Sequence, residues 1–118
     1  MSERIGHLWR VKPGCAEEYR RRHRRIWPEL EELLRDAGVL RYTIYIHGEL
    51  VFSHMEVVDY DAMVARVAGD PVARRWEEQF EDILEYPDAD PQTGWPSPSV
   101  EVWTLAPPES EGALSEER

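Results

Sequence analysis

Two runs rich in branched and aromatic residues follow each other with only two residues between them. Val39–His47 and residues 50–58 are separated by Gly48-Glu49. A two-residue connection permits only a tight hairpin, and glycine in its first position suits a type II′ turn. Any fold of this chain must therefore contain an antiparallel hairpin over residues 39–58, against which the remaining segments pack.

A third strand is predicted close to the N-terminus. Residues 4–12 alternate between apolar and charged side chains, with Ile5, Trp9 and Val11 on the apolar side. This period of two is typical of a strand with one buried face. Pro13-Gly14 stops the run, because neither residue continues a strand readily.

Residues 15–37 have helical periodicity, but Pro28 interrupts it. Proline lacks an amide proton and clashes with the preceding turn, whereas it is tolerated in a first helical turn. We therefore predict two consecutive helices, one over residues 15–24 and one over residues 28–37. Gly38 is expected to end the second helix.

The second half of the chain predicts two more helical pieces and one more strand. Residues 59–69 and 71–84 have apolar side chains at helical spacing, and Asp70 is a suitable N-cap for the second piece. A proline-rich loop over residues 86–98 follows. The last predicted strand covers residues 99–105.

The predicted order is strand, helix, strand, strand, helix, strand. This order is typical of a ferredoxin-like α+β fold, in which helices cover one face of a four-stranded antiparallel sheet. The opposite face is left apolar, and a homodimer packed sheet to sheet would cover it. We expect one domain over residues 1–105. Residues 106–118 are polar and lack a periodic face, which favours disorder.

Composition excludes several classes of partner. The 118 residues have a net charge of −10, which disfavours nucleic acids and anionic membranes as partners. No apolar window approaches a membrane-spanning length and no signal sequence is apparent. Cys15 is the single cysteine, so no intramolecular disulfide can form. These features predict a cytoplasmic protein.

A histidine inside an arginine-rich helix is the strongest chemical signal. His23 follows Tyr19 by four residues, so both side chains lie on one helical face and can contact the same small ligand. Five arginines surround His23, and their summed field is expected to oppose protonation of the imidazole. A neutral imidazole near pH 7 can donate or accept a proton.

The residues alone leave structural alternatives open. His23 could simply hydrogen-bond a carbonyl, and the aromatic residues Tyr19, Tyr42 and Trp76 could belong to the core. The remaining histidines, His7, His47 and His54, lack the spacing of a metal site. We therefore predict no metal.

Several sequence blocks, in this order and spacing, resemble the L-rhamnose mutarotase family over residues 4–105. The blocks are Glu17-Glu18-Tyr19-x-Arg21-Arg22-His23-x-x-Ile26-Trp27-Pro28-Glu29-Leu30-Glu31, Tyr42-x-Ile44-Tyr45, Arg75-Trp76 and Glu101-Val102. The resemblance implies a dimeric ferredoxin-like barrel. It also implies an isomerase that interconverts the α and β anomers of a deoxyhexose such as L-rhamnose, with no metal and no organic cofactor.

The resemblance also implies roles for individual residues. His23 would be the proton donor, Tyr19 and Tyr42 would hydrogen-bond the sugar, and Trp76 would pack against it. The family has a second tryptophan directly after Trp76, whereas this chain has Glu77. Glu77 could bind sugar hydroxyls, act as a general base or point to water.

Two other functions remain compatible with this pattern. The first is a dimeric binding module that holds a sugar without converting it, because fold alone does not fix function. The second is a cofactor-free oxygenase of the same architecture that acts on an aromatic polyketide. The polar residues Tyr19, His23 and Glu77 favour the sugar reading over the oxygenase.

Overall fold

The computed structural model describes residues 2–85 and 95–107 and has the predicted α+β architecture. Four antiparallel strands form one sheet in the order β2-β3-β1-β4, which is the ferredoxin-like order. The elements along the chain are β1 (Glu3–Val11), α1 (Ala16–Arg22), α2 (Pro28–Asp36), β2 (Val39–His47), β3 (Leu50–Val57), α3 (Tyr60–Ala68), α4 (Pro71–Glu78) and β4 (Leu84–Glu85).

The central hairpin forms as predicted. His47 of β2 pairs with Leu50 of β3, so Gly48-Glu49 is the connecting turn. Gly48 has a φ of 61°, and no non-glycine residue in the described ranges has a positive φ. Positive φ at the first turn position alone is the signature of a type II′ turn.

The core lies between the sheet and the helices. Alternate residues of β3 face it, and Val51, Met55 and Val57 are completely buried. Met63 of α3 and Phe80, which follows α4, are also buried in this cluster. Each large apolar side chain buried in this way contributes about 1.5–3 kcal/mol, so the helices are held on the sheet mainly by apolar packing.

The helix ends follow from the residues predicted to cap them. Pro28 begins α2, and Gly38 follows its C-terminal residues with a φ of 100°. The Asp70 carboxylate accepts a hydrogen bond from the Val72 amide at 2.8 Å, which caps α4. The first helix is shorter than predicted, because α1 ends at Arg22 and His23 is its C-cap.

The predicted last helix and last strand were both wrong in extent. Instead of reaching residue 84, α4 ends at Glu78 and a series of turns follows. These turns still bury Phe80 and Ile83, so apolar spacing alone did not distinguish them from helix. They bring Leu84–Glu85 beside the end of β1, where the two residues form β4.

The segment predicted as the fourth strand therefore has a different place. Over residues 99–105 only Ser99 joins the sheet, through an isolated bridge to Gly6 of β1. Leu84–Glu85 occupies the same edge of β1 at its other end, so two short pieces share the position of one long strand. Beyond Ser99, the side chains of Val100, Val102, Trp103 and Leu105 are 74–95% exposed.

The domain boundary predicted at residue 105 stays a prediction. Of the predicted tail over residues 106–118, only residues 106 and 107 are described, and residues 86–94 of the predicted loop also lie outside the described ranges. No helix in the described part of the chain is long and apolar enough to cross a membrane.

Replacing Gly38 by alanine is expected to destabilise the fold. A Cβ there would require a left-handed conformation at φ 100° and would lie 3.4 Å from the Cβ of Val58. Because this conformation costs an L-residue about 1–2 kcal/mol, the free energy of unfolding should fall by that amount. Gly69→Ala is the matched control, since Gly69 has a φ of −93° and open space around it. Equal denaturant midpoints for the two variants would contradict this account.

Candidate active site

The five predicted site residues line one cleft. It lies between the helix-covered face of the sheet at β2 and the helices α1, α2 and α4, and its volume is about 1190 Å³. The residues are Tyr19, His23, Tyr42, Trp76 and Glu77. The structure therefore brings together residues that are up to 58 positions apart in sequence.

His23 is anchored at the end of α1 by a hydrogen bond through its ring. Its Nδ1 atom lies 3.0 Å from the backbone carbonyl oxygen of Tyr19. A carbonyl can only accept, so Nδ1 carries the proton in this bond. The other ring nitrogen, Nε2, is thus the one left to exchange a proton with a ligand. This is the carbonyl contact that a purely structural histidine would also make, but here the residue lines a cleft.

Aromatic rings surround the His23 imidazole on several sides. The Tyr19 ring lies 4.4 Å away, Phe80 5.0 Å, and Trp76 meets the imidazole edge-on at 5.5 Å. Burial among these rings lowers the pKa of His23, and the hydrogen bond to the Tyr19 carbonyl opposes that shift. The neutral imidazole is therefore favoured near pH 7, and the protonated form is a stronger acid than an exposed imidazolium.

The arginines do not produce the His23 pKa shift that the sequence led us to assign to them. Four of the five contact carboxylates: Arg20 and Arg24 contact Glu17, whereas Arg21 and Arg22 contact Glu18. Each pair spreads its charge over a carboxylate and solvent, so little of the arginine field acts on the imidazole. The direction of the predicted shift was right, but its cause is burial.

Arg22 has a structural role in addition to its helical ion pair. Its guanidinium donates to the carbonyl of Gln79 and forms an ion pair with Asp82 at 3.1 Å. It also lies 5.9 Å from the centre of the Phe80 ring. These contacts fasten the end of α1 to the turn after α4, which keeps the aromatic rings around His23 in place.

Tyr19 packs beneath the imidazole as a buried phenol. Its side chain is only 3% exposed, and its ring also lies 5.7 Å from Phe80. Burial raises the pKa of Tyr19, with a further rise from the nearby Tyr42. Because the phenol stays protonated at neutral pH, it can serve as a hydrogen-bond donor. Tyr19 therefore belongs to the core and also lines the cleft.

Tyr42 reaches the cleft from the sheet. It pairs in register with Met55 and is half-buried on the helix-covered face. Burial raises the pKa of its phenol, and the Glu77 charge raises it further. Tyr42 is thus a second neutral phenol in the cleft.

Trp76 and Glu77 are neighbours on α4 with different exposures. Trp76 is 8% exposed, because its indole packs edge-on against His23 and against Trp27 at 5.2 Å. This packing leaves little of the ring exposed, although Trp76 still lines the cleft. Glu77 is exposed and lines the cleft.

Sequence reasoning missed several residues of the cleft. Trp9 was predicted on the apolar side of the first strand, and Phe80 lies in the segment predicted as the last helix, yet both line the cleft. The periodicity of the apolar residues predicted that both side chains are buried, but it did not predict that they line a cleft. Trp95 and Pro96 also line it and come from the proline-rich loop, where no periodic signal exists.

The histidines outside the cleft are not assembled into a metal site in the described ranges. His7 is 2% exposed, and its Nε2 lies 2.8 Å from the Tyr60 hydroxyl. His47 and His54 are exposed on β2 and β3. Residues 2–85 and 95–107 contain no group of three or more histidine, cysteine, aspartate or glutamate side chains that could hold a metal ion.

The assembled groups are suited to proton transfer on a small polar ligand. The cleft brings together the His23 imidazole, which can exchange a proton through Nε2, the neutral phenols of Tyr19 and Tyr42, and the Glu77 carboxylate. An imidazole of lowered pKa is an effective acid, the phenols can donate hydrogen bonds, and the carboxylate can accept them.

The sequence is similar to known proteins of one family. Residues 4–105 match the model of the L-rhamnose mutarotase family. An L-rhamnose mutarotase of Verminephrobacter eiseniae is 42% identical over 87 residues, which cover 72% of this chain and 81% of that protein. The L-rhamnose mutarotase of Enterococcus faecalis is 35% identical over 86 residues, covering 70% and 82% of the two chains.

Solved structures support the fold. The crystal structure of an L-rhamnose mutarotase from Formosa agariphila superposes with a TM-score of 0.70 at 27% identity, covering 88% of this chain and 99% of that one. The tetracenomycin F2 cyclase of Streptomyces glaucescens superposes with a TM-score of 0.60 at 20% identity and the same coverage, which shows a shared fold only. From the family match over residues 4–105 and these identities, the chain belongs to the L-rhamnose mutarotase family.

Proposed function

We propose that this protein is a mutarotase that interconverts the α and β anomers of L-rhamnose or a closely related deoxyhexose. Membership of the mutarotase family supports the reaction class. The observation that carries the proposal to this chain is the anchored imidazole: His23 is held through Nδ1 in a cleft that also contains Tyr19, Tyr42 and Glu77.

The reaction needs little more than placed proton donors and acceptors. Ring opening breaks the bond between the anomeric carbon and the ring oxygen. The ring oxygen must gain a proton and the anomeric hydroxyl must lose one. After the aldehyde rotates, closure from the other face reverses both transfers. A positioned acid or base typically contributes about 10²- to 10⁴-fold, which suffices for a reaction that already proceeds in water.

His23 is the proposed proton donor to the ring oxygen. Its Nδ1 proton is committed to the Tyr19 carbonyl, so the transferred proton comes from Nε2 of the protonated ring. Burial lowers the pKa of His23, which makes fewer molecules protonated but makes each imidazolium a stronger acid.

The other site residues are proposed to bind the sugar. Tyr19 and Tyr42 are protonated at neutral pH, as any phenol is, and burial raises their pKa values further, so both can donate hydrogen bonds to hydroxyl oxygens. Trp76 lines the cleft, and its indole offers an apolar contact for C–H groups of the pyranose, including the methyl group of a deoxyhexose. Glu77 can accept hydrogen bonds from hydroxyl groups at the open side of the cleft.

Replacing His23 by alanine is expected to reduce catalysed anomer exchange at least about 10²-fold, because the proton donor is lost. Saturation-transfer NMR on L-rhamnose measures this exchange directly. His47→Ala is the matched control, since His47 is exposed at the end of β2 away from the cleft. Unchanged exchange in a folded His23→Ala protein would remove the proposed role of the imidazole.

The pH dependence of kcat/KM should show whether His23 acts in its protonated form. A donor acts in its protonated form, so kcat/KM should fall as pH rises through the pKa of His23. Since burial lowers this pKa, the decline should begin below the ordinary histidine value of about 6.5. The exchange rate is measured from pH 5 to 8 after subtraction of the uncatalysed rate. A kcat/KM that rises with pH would assign His23 the role of a base instead.

Binding without turnover is the alternative function that the same experiments separate. The Nδ1 bond to a carbonyl is one that a structural histidine also makes, so it does not by itself require catalysis. Rhamnose that raises the melting temperature of the unmodified protein without accelerating exchange would select a binding module.

We further propose that the protein is a cytoplasmic homodimer. Four apolar side chains are 39–52% exposed on the sheet face opposite the helices: Leu8, Tyr45, Leu50 and Phe52. Tyr45 and Phe52 stack at 5.2 Å, so they present one continuous apolar surface. A second copy packed on this face, and on the exposed apolar residues after Ser99, would remove this surface from water. A single cysteine without a disulfide is compatible with a reducing compartment.

Replacing Phe52 by glutamate is expected to disrupt the proposed dimer, because it places an unpaired charge at the centre of the apolar face. Sedimentation velocity should then show a monomer, whereas the unmodified protein should sediment as a dimer. Ala65→Glu, at an exposed position of α3, introduces the same charge on the helical surface and should leave the dimer intact. A monomeric unmodified protein would refute the assembly.

A further inference from the structure

We propose that Glu77 is a second catalytic residue, the general base that removes the proton from the anomeric hydroxyl while His23 protonates the ring oxygen. This inference rests on the proposed function. In this chain a carboxylate, Glu77, stands where the family has a second tryptophan, and we assign it the role of the base.

Glu77 is placed in the cleft by α4. It follows Trp76 directly on α4, and the Trp76 ring contacts the His23 imidazole at 5.5 Å. Glu77 lines the same cleft as His23 but is exposed, whereas Trp76 is buried. The carboxylate and the imidazole therefore border one cavity from two different elements. An acid and a base that act on two oxygen atoms of one sugar need such an arrangement.

The Glu77 carboxylate shares the cleft with both phenols. Its negative charge raises the pKa of both Tyr19 and Tyr42. The phenols come from α1 and β2 and Glu77 from α4, so three elements bring these groups to one cleft.

The other groups that line the cleft are less suited to this task. Arginines such as Arg20 and Arg74 have no acceptor atom, and the buried phenols of Tyr19 and Tyr42 stay protonated. Two more carboxylates, Glu31 and Glu81, border the cleft, but neither is among the causes that shift the pKa of Tyr19 or Tyr42. Of these three carboxylates, Glu77 is the one whose charge acts on both phenols.

The proton balance of the reaction is complete with these two residues. In ring opening, the Nε2 proton of His23 moves to the ring oxygen as its bond to the anomeric carbon breaks. The electron pair of the anomeric O–H bond forms the aldehyde C=O, and its proton moves to the Glu77 carboxylate. In ring closure on the other face, the new hydroxyl returns its proton to Nε2 as it attacks the carbonyl carbon. Glu77 then protonates the carbonyl oxygen, so both groups regain their starting states.

Chemical rescue of a Glu77 variant tests this role. Glu77→Gln should lower kcat for rhamnose exchange about 10²-fold with little change in KM, because the amide cannot accept the proton. In Glu77→Ala, added sodium formate should restore part of the lost rate by supplying a carboxylate in the vacated space. Formate should not restore the rate of His23→Ala. Glu78→Gln is the matched control, since Glu78 is exposed on the same helix outside the cleft and its change should leave kcat unaltered.

Two results would overturn the inference while leaving the mutarotase assignment in place. One is a kcat for Glu77→Gln equal to that of the unmodified protein. The other is a raised KM at unchanged kcat, without formate rescue, which would make Glu77 a binding group only. Failure of the unmodified protein to accelerate exchange of L-rhamnose or other deoxyhexoses would overturn the proposed function and this inference together.

Discussion

The packing of α1 against the end of α4 is the interaction on which the cleft depends. Four rings meet there: Tyr19 and His23 from α1, and Trp76 and Phe80 from α4 and the turn after it. Arg22 holds the same two segments together through the Gln79 carbonyl and Asp82. Because the imidazole is an integral part of this aromatic contact, its orientation and its lowered pKa follow from the packing that stabilises the fold.

This arrangement explains how a small domain fixes the imidazole of His23, the proposed proton donor, without a dedicated loop. His23 is the C-cap of α1, so its backbone is fixed by the helix and its Nδ1 is fixed by the Tyr19 carbonyl one turn earlier. The sheet supplies Tyr42 from the opposite wall, and α4 supplies Glu77. Rigid elements hold every one of these side chains, so little reorganisation would be needed if a sugar bound in the cleft as proposed.

Much of the fold was predictable because it is set by local chemistry. Gly48, Pro28 and Gly38 determine the hairpin turn, the start of α2 and its end through backbone geometry alone. The fourth strand was not predictable in the same way. The turns over residues 79–83 bury Phe80 and Ile83 at the same spacing that a helix would give. Only the pairing of Leu84–Glu85 with β1, which is a tertiary contact, shows that the chain has left the helix.

The candidate site was predictable from residue types but not in its physical details. The five residues predicted for it lie together, whereas Trp95 and Pro96, from an aperiodic loop, could not be anticipated. The pKa of His23 was predicted to fall through the arginines, but their pairing with Glu17 and Glu18 depends on side-chain geometry that a sequence does not specify. The shared fold with a polyketide cyclase shows why these details matter, because the fold accommodates different chemistries.

The most direct test of the account is a crystal structure of the protein with L-rhamnose bound. We predict that the pyranose occupies the cleft with its ring oxygen within hydrogen-bonding distance of His23 Nε2, about 2.6–3.2 Å. A sugar bound in the cleft with its anomeric end directed away from the imidazole, or bound outside the cleft, would contradict the account.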